Sequence, residues 1–509
     1  MSDKSPSALA VPFLGVLASL QLIDPTVANT ALVKAGQALE MQGATLALAA
    51  SISTLAQAAT VLLMGFLGDR LGRRRVLMTT LLLSIAGDGI ALSAANAGIF
   101  LLGRALVGIG VGAVLALSFA AVRFVSRPAA LGKALGVWNL LIILGFIGGS
   151  LLGGVLADSS WRLALGLVPL IAPLCLPLVP LLLPEMPANR DLRADWPGLI
   201  SIAAAMVFVL TGVSHAVSGL TSPAFWMPTL GGLALFGAHL LIECRSQAPI
   251  FPVALYRRGL FAAAIVSGIA WNFAQAVVQL QTSNFWQTVQ RYSTSQVATA
   301  QLPLLICFAV GSVVAGRRMA PGRRTIQLMA GGLLALVLGL VLLAGVHAES
   351  GYLTFVLPLV LVGGGLAFVA VPQSALFVQE APPGSFGSVT AFRTTTGQLG
   401  FALGFAASGA MVNGFGYASL RDRLLKLGAT SAQLPELEAK VRVALSGGVL
   451  GHPQAAPSKA IAVIADAYAS GLAGTMLMVA LLVALLGAIS LLLLVIGHQQ
   501  QRVEPGARA

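Results

Sequence analysis

Charge is what this chain has least of. Only 9% of its 509 residues are Asp, Glu, Lys or Arg, against about 25% in soluble globular domains. With 57% hydrophobic residues and a mean hydropathy of +0.91, that deficit excludes a large soluble domain and points to a polytopic membrane protein. Cysteine is scarce too: Cys175, Cys244 and Cys307 are the only three. None forms a Cys-x-x-Cys pair, so neither a disulfide framework nor a cysteine metal site is expected. The five histidines are scattered. His215 and His239 fall in adjacent spans near opposite ends, as packed or interfacial histidines do. Enzyme signatures are missing as well. There is no Gly-x-x-x-x-Gly-Lys-Ser/Thr phosphate loop, so ATP is not the expected energy source, and no Gly-x-Ser-x-Gly or His-Glu-x-x-His occurs. A net charge of +13 suggests nucleic acid in a soluble protein. Here the basic residues collect in short loops between apolar runs, which argues for a bilayer and against a nucleic-acid partner.

What is abundant is apolar sequence of spanning length, about 20 residues per span. Such runs lie near 10–33, 45–68, 76–95, 98–122, 132–156, 163–183, 196–217, 225–243, 260–285, 297–316, 324–346, 353–377, 387–412 and 468–496. The expected fold is all-α, with fourteen membrane helices. Lys4 followed by an apolar run from Ala8 imitates a secretion signal, but the run continues past Asp24 to Val33 and reads as the first span. Alternate loops carry the arginines: Arg70 to Arg75, Arg123 with Arg127, Arg190 with Arg193, Arg257 with Arg258, and Arg317 to Arg324. By the positive-inside rule these loops and both termini are expected in the cytoplasm. Residues 413–467 form one long outer loop, with a polar helix-like stretch and then a Gly/Pro-rich linker.

The most informative segment is Gly65-Phe-Leu-Gly-Asp69-Arg70-Leu-Gly72-Arg73-Arg74-Arg75, a charged turn wedged between two spans. Asp69 ends a helix, where the dipole disfavours an anion, so it needs a cation or the N-terminus of another helix. The segment resembles the loop between helices two and three of the major facilitator superfamily, Gly-x-Leu-Ala-Asp-Arg-x-Gly-Arg-Lys, with matches at Gly65, Asp69, Arg70, Gly72, Arg73 and Arg74. Arg104-Ala-Leu-Val-Gly108-Ile-Gly110 resembles a second superfamily signature. Gly136, Gly145, Gly149, Gly153 and Gly154 follow the spacing of its antiporter helix, with Ser150 where proline is usual. Leu22-Ile-Asp24-Pro-Thr-Val-Ala-Asn29-Thr-Ala-Leu32 is similar to a signature of the fourteen-span drug/proton antiporter branch, with Pro25 as an added kink candidate.

That resemblance implies two six-helix bundles, residues 1–195 and 259–509, with two extra helices at 196–258. It implies a proton-coupled exporter of lipophilic or cationic drugs, driven by the proton gradient without a bound cofactor. A plasma (inner) membrane location in bacteria and a monomeric unit follow as expectations. An exporter of lipids or envelope precursors is the alternative reading. Two carboxylates sit deep in the spans. Counting 1.5 Å per residue puts Asp24 ~20 Å and Asp88 ~18 Å from the inner end. Arg104 descends ~9 Å from the outer side. We expect an Asp88–Arg104 pair with Asp24 free to take a proton; the rival is an Asp24–Arg104 pair with Asp88 titrating. Expected substrate contacts are Asn29, Trp138, Asn139, Trp271, Asn272, Gln275 and Gln279, with Gln281 beside them. Trp271, Gln275 and Gln279 share a helix face. Arg393 is expected at the membrane interface, or against Asp69 as part of the same latch.

Overall fold

The structure is a computed structural model that describes residues 7–41, 43–186, 188–193, 195–215, 222–246, 253–319, 323–382, 386–426 and 458–503. Among these, every long element is a helix. The chain runs through α1 (Ala10–Ala38), α2 (Gly43–Leu71), α3 (Arg73–Leu92), α4 (Ala97–Val125), α5 (Leu131–Ser159), α6 (Trp161–Leu165), α7 (Leu167–Leu182), α8 (Trp196–Ser214) and α9 (Pro223–Arg245). It continues through α10 (Gly259–Thr288), α11 (Thr294–Ala300), α12 (Leu302–Arg318), α13 (Arg323–Leu343), α14 (Leu353–Glu380), α15 (Phe386–Lys426) and α16 (Ser458–Val503). Fourteen of these segments are long and apolar enough to cross a membrane, α6 with α7 and α11 with α12 each making one span.

Polar residues set the helix starts. Asn96 accepts a hydrogen bond from the Ile99 amide at 3.0 Å and opens α4. Ser293 and Gln296 form a capping box at α11, satisfying amides that have no partner inside the helix. At the charged turn, Gly72 has φ +95°, a left-handed backbone that a side chain resists. This residue lets α2 stop and α3 start within one position. Pro25 lies inside α1 without ending it.

Two corrections concern the far end of the chain. The span expected to end at 412 continues as helix to Lys426, and the last helix begins at Ser458. All of the described part of the expected 413–467 loop is therefore helical; residues 427–457 lie outside the described residues.

The helices α1 to α7 pack around α4: α2 and α3 flank it, α1 lies against α4 and α5, and α7 lies against α3. The helices α10 to α16 form a second group, in which α10 contacts α14, α15 and α16, and α13 contacts α14 and α16. The groups meet where α5 packs on α12 and α2 on α15. In lipid no hydrophobic force draws helices together, so close packing must do it, and small residues make it possible. A Cβ on Gly65 would stand 2.5 Å from the Gly387 carbonyl oxygen, and one on Gly136 would stand 2.5 Å from that of Ser312. Both contacts lie at the end of the molecule that carries Arg70, Arg74, Arg127 and Arg317, called the arginine-rich face below. The hairpin α8–α9 leans on the meeting line: Met206 and Leu210 of α8 are buried with Ala58 of α2, against Leu399 and Ala402 of α15. Its second helix, α9, faces outward, with Met227 74% and Leu241 62% exposed.

Candidate functional site

Three charges meet inside the first group. Arg104 on α4 donates to both Asp24 oxygens on α1, Nη1 to Oδ1 at 2.7 Å and Nη2 to Oδ2 at 2.8 Å. Asp88 on α3 stands 3.8 Å from the same Nη1, too far for a hydrogen bond. All three side chains are at most 2% exposed. The expected Asp88–Arg104 pair is thus corrected to the rival arrangement, a forked Asp24–Arg104 pair. Neither carboxyl oxygen of Asp88 has a hydrogen-bond partner among the described residues.

Glycines place these groups. A Cβ on Gly87 of α3 would lie 2.7 Å from the Val107 nitrogen, and one on Gly103 would lie 2.6 Å from the Ala91 nitrogen. The near-contact of α3 and α4 brings Asp88 alongside Arg104. On α5, Gly145, Gly149 and Gly153 receive Ser19, Ile23 and Val27 of α1, the face that brackets Asp24. The antiporter-like stripe therefore seats α1. Gly154 takes no part, because a Cβ there would meet nothing within 4 Å.

At the arginine-rich face Asp69 finds both partners that its position demands. Arg73 donates to Oδ1 from one turn on. The Gly387 amide donates at 2.9 and 2.7 Å to the two oxygens, and the Ser388 amide at 3.2 Å to Oδ2. These amides begin α15, so the carboxylate caps a helix of the other group. Arg73 also covers the Phe124 ring, its Cζ 4.4 Å from the centroid. The Asp69 carbonyl accepts from the Asn189 amide at 2.9 Å. Arg70 and Arg74 are half-buried.

Arg393 is neither at the interface nor against Asp69. It is 9% exposed and its Nε donates to Ser374 Oγ at 3.1 Å. Its Cζ lies 4.5 Å from the Phe119 ring centroid and 5.9 Å from that of Trp138. It forms no ion pair among the described residues. A snorkelling arginine needs a route to water, and packing of the two helix groups closes that route.

The expected substrate contacts divide. Trp138 and Asn139 are buried on α5, beside Arg393 and one position on. Trp271 packs edge-on against Phe308, centroids 6.0 Å apart. Asn272 donates back to the Gly268 carbonyl at 2.8 Å, so its amide is occupied within α10. Gln275 is half-buried and Gln279 offers its carbonyl to Gln301 at 2.9 Å. Gln281 joins Ser408 at 2.9 Å and Tyr468 at 3.3 Å, tying α10 to α15 and α16 rather than lining a path. The Asn29 side chain lies outside the described residues. Sequence reasoning missed the Gln398–Gln57 hydrogen bond between α15 and α2, because a lone glutamine inside a span carries no pattern.

Two grooves open near the arginine-rich face and neither reaches the Asp24–Arg104–Asp88 group. One of about 920 Å³ lies between Arg123, Lys133, Arg317 and Glu380. The other, about 750 Å³, runs along α13 and α14 from Arg318 and Arg324 to Phe368.

A fourteen-span helical protein with two helix groups meeting along glycine-lined contacts, and buried charges within its spans, has the make-up of a secondary transporter. The sequence profile of the Major Facilitator Superfamily matches residues 14–405, and the chain belongs to that family, whose members are transporters and not enzymes. It is 29% identical over 416 residues to the puromycin resistance protein of Streptomyces alboniger, covering 79% of this chain and 81% of that protein. It is 26% identical over 384 residues to a multidrug resistance protein of Mycobacterium tuberculosis, covering 73% and 69%. A crystal structure of a human organic anion transporter superposes with a TM-score of 0.62 over 95% of this chain and 98% of that one. At 18% identity that likeness shows the fold alone.

Proposed function

We propose that the chain exports lipophilic small molecules, including the cationic ones that the resemblance implies, in exchange for protons across the bacterial plasma membrane. The observation that carries this reading is the imbalance of buried charge: one guanidinium serves two carboxylates, and only Asp24 holds it in a hydrogen-bonded fork. A second ionised carboxylate in so dry a place is costly. A proton on Asp88 removes that cost. Protonation and deprotonation of Asp88 then change the charge of the α1–α3–α4 cluster.

The two-group build supports alternating access as the mode of transport. The contacts at Gly65–Gly387 and Gly136–Ser312, together with the Asp69 cap on α15, close the arginine-rich face, which the positive-inside rule assigns to the cytoplasm. Opening that face breaks the cap; occupancy of Asp88 by a proton biases the choice. A cargo and a proton that each prefer a different state weaken one another reciprocally. The monomer is the working unit.

The test is uphill export of one labelled compound from proteoliposomes under an imposed acid gradient. Asp88→Asn is expected to lose uphill transport while still exchanging cargo down its own gradient. Normal uphill transport by Asp88→Asn overturns the reading. The alternative, export of lipids or envelope precursors, has one observation in its favour: the groove along α13 and α14, with arginines at its mouth and apolar walls. A lipid phenotype without any drug phenotype in cells lacking the protein would establish it instead.

A further inference from the structure

We infer that Arg393, with Trp138, forms a receiving site for the acidic or acceptor-rich headgroup of an amphipathic aromatic cargo, such as a sulfonate, carboxylate or phenolate. The inference rests on the exporter reading and departs from it in cargo charge: at this site a negative headgroup is preferred over the cationic one that the resemblance implies.

The argument begins with a surplus of donors. Arg393 brings a permanent charge and spends one of its donors on Ser374 Oγ, at 3.1 Å. The bond to Ser374 is its one recorded hydrogen bond among the described residues, and no carboxylate pairs with it there. Trp138 Nε1 is buried with no hydrogen-bond partner. Arg393 and Trp138 are 9% and 1% exposed. Buried polar groups are almost always paired, and a buried cation without a counter-charge is costly. The Phe119 face, 4.5 Å from Arg393 Cζ, offsets only part of that cost. Trp138 lacks an acceptor and Arg393 lacks a counter-charge, and the charged group calls for an anion.

Position says when the acceptor arrives. Phe119 and Trp138 belong to α4 and α5, in the first helix group. Ser374 and Arg393 belong to α14 and α15, in the second. The cluster therefore straddles the line along which the groups part. Arg393 lies seven residues into α15, ~10 Å below the arginine-rich face. While that face is closed, Arg393 leans on aromatic rings of the opposite group. Once it opens, the rings withdraw and the guanidinium faces the cytoplasm with its fork of donors free. A flat anion that brings its own aromatic ring replaces both the lost ring and the missing acceptor. A cationic headgroup meets only repulsion there. Asp88 offers no relief to such a cation at this depth, since it is enclosed by α3 and α4 with Arg104.

The experiment is equilibrium binding to the purified full chain in nanodiscs, with no gradient present. The probes are naphthalenesulfonate and naphthyltrimethylammonium, alike in ring and opposite in charge. The wild type is expected to bind the sulfonate about tenfold to a hundredfold more tightly, the range that charge-assisted hydrogen bonds provide. Arg393→Gln abolishes the preference. Arg393→Lys keeps part of it, since the charge remains while the planar fork is lost. Equal or tighter binding of the cation by the wild type overturns the inference, as does an undiminished preference in Arg393→Gln. Should Arg393→Gln fail to give a monodisperse protein, the wild-type comparison and Arg393→Lys decide. Binding needs no proton gradient, so this result and the uphill transport assay fail separately.

Discussion

Replacing Asp69 by asparagine tests the closure of the arginine-rich face. The side chain keeps its size, and an asparagine oxygen still accepts from one amide. What disappears is the charge that Gly387 and Ser388 address at 2.7–3.2 Å. A hydrogen bond to a charged group contributes about 1.5–3 kcal/mol, and an anion at a partly buried helix N-terminus up to about 2 kcal/mol. A neutral acceptor retains part of this, so the link between α2 and α15 weakens by about 2–3 kcal/mol. That shifts the ratio of closed to open forms about 30- to 150-fold. The assay is the distance between spin labels at Arg127 and Arg318, exposed positions on the two helix groups. A single short distance is expected in the wild type, and a second, longer population in Asp69→Asn. Arg73→Gln is the control. Arg73 reaches Asp69 from within the same group, so its loss moves the distribution less. An unchanged distribution in Asp69→Asn, or an equal change in both variants, refutes the reasoning.

Removing one partner of a buried ion pair costs about 3–5 kcal/mol. Asp24→Asn is therefore expected to lower the thermal midpoint in detergent well below that of Asp88→Asn, because Asp24 carries the fork on Arg104; equal midpoints would contradict the assignment of the pair. Gly149→Ala is expected to lose about 1–3 kcal/mol by overpacking against Ile23, whose nearest atom a Cβ would meet at 2.6 Å. Gly154→Ala, which meets nothing within 4 Å, is expected to be neutral or stabilised by up to about 1 kcal/mol of helix propensity; the same unfolding measurement separates them. Gly72→Ala places a side chain at φ +95°, a strain of about 1–3 kcal/mol, and is expected to lower the thermal midpoint.

Span number and family were legible in the sequence because each span is a local fact: about 20 apolar residues bounded by charge need no partner to be recognised. The requirement on Asp69 was equally local. A carboxylate at a helix C-terminus needs a donor, and the supply of Arg73 one turn away could be read from spacing. Which helix N-terminus would complete it could not, since Gly387 is 318 positions away. The Asp24–Arg104–Asp88 group shows the limit most clearly. Counting residues gives height along a helix, and by height both aspartates suited Arg104. Rotation about the helix axis decides which one faces it. That rotation was set by contacts of single glycines with the neighbouring helix, at Gly87 and Gly103 and along α5.

Arg393 failed as an interface residue for a related reason. Distance from a helix end suggests a way out to water, but a second helix group covers that way. The end of α15 failed differently: Asn413-Gly-Phe-Gly416 has the composition of a turn, yet the helix continues through it to Lys426. Sequence alone determined the number of crossings, the sided distribution of arginine and the family, since all three depend on residue type and order along one line. Only the tertiary structure decided which buried charges touch and which donors stand without acceptors. Those depend on two helices meeting at a particular rotation, and a single chain of letters does not record it.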